Sequence, residues 1–230
     1  SGDALGNQAV KIRALLRQWG YRSQVYAQFR DQRLTDPGED YQRYRGGPDD
    51  VLIFHYSIAS PLTHVALRVP GTLIVYYHNV TPPEFLQRYN PELADLLARG
   101  REELSLLKDA PLAIAASDYN RQEMLAVGFE NIKVIPYFVY LDELRRSATS
   151  PPGQTIVRSM GDEVVNWLFV GRIVPNKRQD DIIRSFNYYH TFINSNSQLY
   201  LVGSDANAPG YRLDLEVLAE SLSLGEAINL

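Results

Sequence analysis

The chain has 230 residues, 45% of them hydrophobic and 22% charged, with a formal net charge of -4 and no cysteine. That hydrophobic share can build a packed core in one large or two modest domains. The charge balance gives no electrostatic case for general nucleic-acid binding, the lack of cysteine excludes disulfides and cysteine–zinc sites, and no apolar run approaches the ~20 residues of a membrane span.

No secretory leader pattern is visible, so a cytoplasmic protein is the default expectation. The 15 tyrosines are scattered along the chain, as half-buried packing residues would be.

Gly2-Asp3-Ala4-Leu5-Gly6-Asn7 reads as a loop. Over residues 8–19 the apolar side chains of Val10, Ile12, Leu15, Leu16 and Trp19 keep helical spacing, and Gly20 supplies a stop. Residues 23–29 alternate weakly, in the manner of a strand, and residues 31–50 are polar and rich in glycine and proline, as a loop would be. Residues 51–54 and 72–77 are short apolar runs of β type, and residues 61–68 suit a short helix between them. Residues 91–108 carry leucines at 93, 96, 97, 104 and 107 and read as a long helix. Residues 112–116 form a strand. Ser117 suits the N-cap of a helix running to Val127, with Gly128 as its stop. A further strand is expected at 132–135. Apolar strands alternating with helices imply a parallel sheet with helices on both faces.

Residues 141–163 break this pattern with Ser-Ala-Thr-Ser-Pro-Pro-Gly and read as a linker with a poorly ordered edge. A second βα series follows, with strands at 166–170, 198–202 and 227–230 and helices at 179–193 and 211–222. The expected organisation is an N-terminal domain at 1–140, a linker at 141–163, and part of a second domain at 164–230. The chain opens with no strand before its first loop and closes inside a strand, so it reads as a fragment.

Residues 166–177 carry the most chemistry. A strand of buried character runs into Gly171, Arg172 follows, and Lys177 comes five positions later, just before the helix that starts at Gln179. That layout sets two cations beside a helix N-terminus, where backbone N–H groups and the macrodipole favour an anion. Gly171 has no Cβ to hold a ligand away from the backbone. Arg172 can grip phosphate oxygens bidentately, and Lys177 acts as a point charge. The plain alternative is a pair of solvated surface cations.

His78 ends the strand at 72–77, and ligands of doubly wound sheets sit at the carboxyl ends of strands. A histidine there can bond a sugar hydroxyl or hold a charge, or it can be a satisfied strand-end side chain. His55 also ends a strand but fits no motif. His64 and His190 read as ordinary helix residues. The chain has no Walker loop, no G-x-G-x-x-G and no G-x-S-x-G elbow. It also lacks a His/Asp/Glu cluster with metal spacing, and Asp214 and Glu216 fall in a helical pattern as solvated surface. Lys11, Arg13, Arg17 and Arg22 could touch an anionic membrane or simply line a solvated helix face.

Gly171-Arg172-Ile-Val-Pro-Asn-Lys177 resembles the donor-diphosphate motif G-R-x-x-x-x-K of group 1 retaining glycosyltransferases with the GT-B fold. Ile74-Val-Tyr-Tyr-His78-Asn79 is similar to that family's strand ending in histidine, which approaches donor sugar and acceptor. Gly2 to Asn7 looks like one subgroup's version of the first loop, under the donor phosphates, and Gly203-Ser204 is similar to the second donor-side loop. The likeness covers the opening loop, the His78 strand, the Ser117 junction and residues 166–230.

There are departures. Ile135-Pro-Tyr-Phe-Val-Tyr140 stands where the family often has I-P-N-G-V-D, and Arg178 stands where a glycine often follows the motif lysine. The acidic E-x-x-x-x-x-x-x-E motif, which meets the donor sugar and ribose, would fall beyond Leu230.

The resemblance implies an α/β chain of two Rossmann-like domains facing a cleft, lacking the first strand and the second half of the second domain. It implies transfer of a sugar from a nucleoside diphosphate sugar to an acceptor hydroxyl, with retention and without metal or cofactor. His78 would position the donor sugar, and Gly171, Arg172, Lys177, Gly203, Gly6 and Asn7 would bind the donor. The implied partners are a nucleotide-sugar donor and a carbohydrate or lipid-linked acceptor, with peripheral membrane contact left open and no nucleic acid. Acceptor choice would lie in residues 31–50 and 81–90. Weak or absent turnover is expected of the fragment. The rival readings are a non-catalytic sugar- or nucleotide-binding domain of the same fold, and an epimerase or phosphorylase.

Overall fold

A computed structural model describes residues 4–30, 36–139, 141–151, 154, 155, 158, 160 and 163–230. By their contacts the residues fall into two units, Ser1–Val80 with Leu96–Val139, and Thr81–Asp95 with Tyr140–Leu230. A linear division of the chain has no way to express the assignment of Thr81–Asp95.

The first unit is organised by its β-branched and aromatic runs, which favour a pleated, buried surface. Strands β3 (Val51–Tyr56), β4 (Thr72–Tyr77), β5 (Leu112–Ala115) and β6 (Ile132–Val134) form a parallel sheet in the order β3-β4-β5-β6. Phe54 lies opposite Val75, and Tyr76 opposite Ile114. Successive strand side chains point to opposite faces, yet Val75, Tyr76 and Tyr77 are all no more than 1% exposed. Both faces of β4 are therefore covered. Three of the tyrosines are core residues with satisfied hydroxyls: Tyr56 donates to the Gly100 carbonyl (2.5 Å), Tyr76 to the Ile135 carbonyl (2.6 Å) and Tyr77 to Glu123 (3.1 Å). A short parallel ladder, β1 (Tyr26–Ala27) with β2 (Glu39–Asp40), is all that forms of the strand expected at 23–29.

Helix α1 spans Ala4–Gln18, so Gly6 and Asn7 lie in its first turns and not in a loop entering it. Gly2 and Asp3 lie outside the described residues. Glycine costs a helix only about 1 kcal/mol, and tertiary contacts outweigh that here. Buried Gln8 donates to the Tyr76 hydroxyl (3.2 Å) and accepts from the Phe138 amide (3.0 Å). Helix α2 is Pro61–Ala66, and α3 runs Pro91–Glu103 before tightening into a 3₁₀ turn at Leu104–Leu107. Helix α4, Asp118–Val127, begins and ends where local chemistry dictates. Ser117 Oγ accepts from the Asn120 amide (3.2 Å), and Gly128 takes φ +105°, closing the helix with bonds to Met124 and Leu125. Ser117→Ala is expected to cost about 1 kcal/mol, read as a fall of roughly 2–4 °C in the thermal midpoint.

The second unit holds β7 (Val165–Val170), β8 (Ser197–Val202) and β9 (Ile228–Asn229), parallel and in that order. Helices α6 (Gln179–Phe192) and α7 (Pro209–Ser221) belong to it, and α5 (Leu141–Thr149) lies within the stretch read as a linker. One face of the sheet packs Leu199, Leu201, Ile183 and Phe186 out of water, with Trp167 edge-on to Phe186. The opposite face leaves Leu168, Val170 and Val202 exposed. Residues 81–95 pack on α7, where the Tyr89 hydroxyl donates to Asp214 (2.7 Å) and Arg88 pairs with the same carboxylate (3.1 Å). Asn90 donates to the Asn207 carbonyl (3.2 Å) just before that helix.

Among the described residues no helix is long and apolar enough to cross a membrane, and no three His, Cys, Asp or Glu side chains gather as a metal group would.

Candidate functional site

The arginine–lysine turn grows out of the carboxyl end of β7. Its Gly171 amide donates to the Val202 carbonyl (2.9 Å) and its Ile173 amide to the Ser204 carbonyl (2.9 Å), so the turn stays laddered to the loop after β8. Ile173 and Val174 are buried and pin the turn from below. Gln179, 0% exposed at the start of α6, donates from Nε2 to the Arg172 carbonyl (2.8 Å). Gly203 is required by this packing: a Cβ there would run into the Gly171 carbonyl. With its apolar residues beneath and its backbone clamped, the turn leaves Arg172 and Lys177 exposed.

The charges divide clearly. Arg178 pairs with Asp181 (2.7 Å) and lies 3.6 Å from Asp180. Among the described residues neither Arg172 nor Lys177 forms an ion pair. The start of α6 is less open to an anion than its sequence suggested. Asp180 and Asp181 sit in the first turn, where carboxylates already complement the macrodipole, and the Asp180 amide donates to the Tyr211 hydroxyl (3.3 Å). The two unpaired cations, rather than the helix dipole, are what this turn offers a phosphate.

His78 sits at the carboxyl end of β4 in the first unit, its amide continuing the ladder to the Tyr56 carbonyl (2.9 Å). Its ring is held on both sides: Nε2 is 2.8 Å from His55 Nδ1, and Nδ1 is 2.8 Å from the Tyr137 hydroxyl. The His55 and His78 rings are parallel within 3°, and the Tyr76 ring lies 4.3 Å from that of His78 between centroids. Asn79 follows with φ +72°, a left-handed setting that asparagine tolerates. Burial pulls the pKa of His55 down to about 4. Burial, and then the neighbouring His55, pull that of His78 down to about 3. Both imidazoles are therefore neutral at ordinary pH. His78 offers a hydrogen bond, not a charge.

Gly171, Arg172, Lys177 and Gly203 are thus brought together in the second unit, while His78, Gly6 and Asn7 belong to the first. His55 and Tyr137 are functional candidates that sequence reasoning missed. A signal for His55 was present. Aligning the starts of the two apolar runs, Val51 with Thr72, puts His55 opposite Tyr76, on the face that Tyr76 shares with His78. A cavity of about 240 Å³ opens at the amino ends of β7 and β8, lined by His190, Asn196 and Glu226 among others, and includes none of the predicted site residues.

No family model matches the chain, and no curated protein matches it. Solved structures do. The α,α-trehalose-phosphate synthase (UDP-forming) from Burkholderia vietnamiensis matches with a TM-score of 0.57 at 14% identity, over 80% of this chain and 46% of that one. HepE from Anabaena, in complex with UDP-glucose, matches at 0.55 and 18%, over 73% and 43%. A glycosyltransferase from Rickettsia africae matches at 0.52 and 14%, over 98% and 50%. At such identities the likeness shows the fold: the chain has an α/β fold matching GT-B glycosyltransferase structures. It spans half or less of the length of each.

Proposed function

We propose that the chain is part of a retaining, metal-independent GT-B glycosyltransferase that holds the diphosphate of a nucleoside diphosphate sugar at the Gly171–Lys177 turn. The observation that carries this reading is the pair Arg172 and Lys177, exposed and without ion-pair partners among the described residues, on a turn clamped by Gln179, Ile173 and Val174. Supporting it, HepE was solved with UDP-glucose on the same fold.

In the transfer, the bond from the anomeric carbon to the diphosphate oxygen breaks, its electron pair leaves with the nucleoside diphosphate, and the acceptor oxygen takes its place on the same face, its proton passing to the departing diphosphate oxygen. The growing negative charge is what fixed cations stabilise most. Arg172 would grip two oxygens and Lys177 would add a point charge. Gly203 would keep the neighbouring loop close to the turn, and Gly6 and Asn7, in the first turns of α1, are the donor-binding residues that this reading takes from the first unit. His78 would meet the sugar with a neutral ring, taking a sugar hydroxyl at Nδ1 in exchange for the exposed Tyr137 hydroxyl. The acceptor would be a carbohydrate or a lipid-linked acceptor.

One observation favours a second reading, a non-catalytic nucleotide-sugar-binding domain: both ring nitrogens of His78 already have partners.

Titration calorimetry with UDP and GDP tests the diphosphate assignment. Charge-assisted bonds are worth roughly 1.5–3 kcal/mol each, so Arg172→Ala/Lys177→Ala is expected to weaken binding on the order of 100-fold or more. Equal affinity in the double variant would sink the assignment. Turnover assays with UDP- and GDP-sugars separate transferase from binding domain.

A further inference from the structure

We infer that His55 and Tyr137 are positioning residues that lock the ring plane and proton placement of His78, the histidine that the proposed function turns toward the sugar. The geometry is a continuous chain of two 2.8 Å contacts, Tyr137 hydroxyl to His78 Nδ1 and His78 Nε2 to His55 Nδ1. Each contact shares one proton, so fixing one end fixes the whole chain.

The phenol is the stronger acid of the groups involved and therefore donates. Tyr137 gives its O–H to His78 Nδ1, His78 keeps its proton on Nε2 and donates to His55 Nδ1, and His55 keeps its own on Nε2. The two ends differ in setting. His55 is built into β3 opposite Tyr76 and cannot shift without disturbing the sheet. Tyr137 lies outside regular structure, 37% exposed, and is the end nearest solvent. Parallel rings and the Tyr76 face then leave His78 one plane in which to sit.

The test is nitrogen-15 NMR of the histidine rings in the ligand-free protein. Wild type is expected to show His78 as a single neutral form with the proton on Nε2 and a hydrogen-bonded Nδ1. Tyr137→Phe should move the Nδ1 resonance to that of an unbonded ring nitrogen. His55→Leu should leave the proton on Nε2, where the Tyr137 hydroxyl keeps it, but move the Nε2 resonance to that of an unbonded N–H, and His55→Asn, which returns an acceptor near the Nδ1 position, should move it back. A wild-type His78 that carries its proton on Nδ1, or a mixture of tautomers, overturns the inference, and so does an unchanged Nδ1 resonance in Tyr137→Phe. The wild-type spectrum alone decides the proton placement if a variant fails to fold. The measurement needs no nucleotide. Failure to bind UDP or GDP would count against the proposed function only, and an unlocked His78 in a protein that binds them would count against this inference only.

Discussion

Gly203→Ala is expected to destabilise the protein by about 3 kcal/mol or more, and to lower its thermal midpoint by roughly 6–12 °C. The added Cβ would meet the Gly171 carbonyl oxygen and, at 2.6 Å, its carbon, with the Arg172 nitrogen at 3.4 Å. All three are backbone atoms, which cannot rotate aside as a side chain can. Relief requires parting the two loops, which breaks the Gly171–Val202 and Ile173–Ser204 hydrogen bonds, worth about 1 kcal/mol each. Gly171→Ala is the control. Its Cβ would meet only the Phe169 ring, at 3.1–3.2 Å, and a ring can give; about 1 kcal/mol is expected. Thermal denaturation of the two variants side by side checks this, and equal losses would refute the steric account. Nucleotide affinity should fall with Gly203→Ala as well, because the displaced backbone carries Arg172.

The second large effect is acid sensitivity. His55 and His78 have native pKa values of about 4 and about 3, against 6.5 unfolded. Between those values the unfolded chain binds protons that the native state refuses. Stability from the pair is therefore complete above pH 6.5 and is lost progressively as pH falls toward 3. One pKa unit is worth about 1.4 kcal/mol, so each histidine removes roughly 2 kcal/mol between pH 7 and pH 5. The cause at His55 is burial, and at His78 burial first and then the neighbouring His55; Tyr76, packed against both rings, has its own pKa raised by burial and stays neutral in this range. Urea unfolding at pH 7 and pH 5 should show a steeper loss in wild type than in His55→Asn or His78→Asn. Identical pH slopes in wild type and variants would contradict the burial argument.

Local chemistry was legible in the chain. The Ser117 cap and the Gly128 stop appear where the sequence puts them, because a cap is made by residues within one turn of each other. The strand 72–77 was legible from six consecutive β-type residues. Gly6 was misread as a loop signal, since the contacts that keep α1 helical come from Tyr76 and Phe138, far along the chain. The polar stretch 31–50 hid the short β2 ladder, whose partner is Tyr26–Ala27.

The candidate site divides the same way. Sequence alone determined that a glycine, an arginine and a lysine stand between a strand and a helix, and that a histidine ends a strand, because motif spacing and strand ends are properties of adjacent residues. Which cations remain available was settled locally, since Arg178 is taken by Asp180 and Asp181 in the following turn while Arg172 and Lys177 are left over; tertiary structure decided the rest. It decided that Gly203 exists for the Gly171 carbonyl, and that His78 is neutral and held between His55 and Tyr137. Those tertiary outcomes depend on strand register and burial, which join residues 23 to 59 positions apart and which no window of neighbouring residues contains.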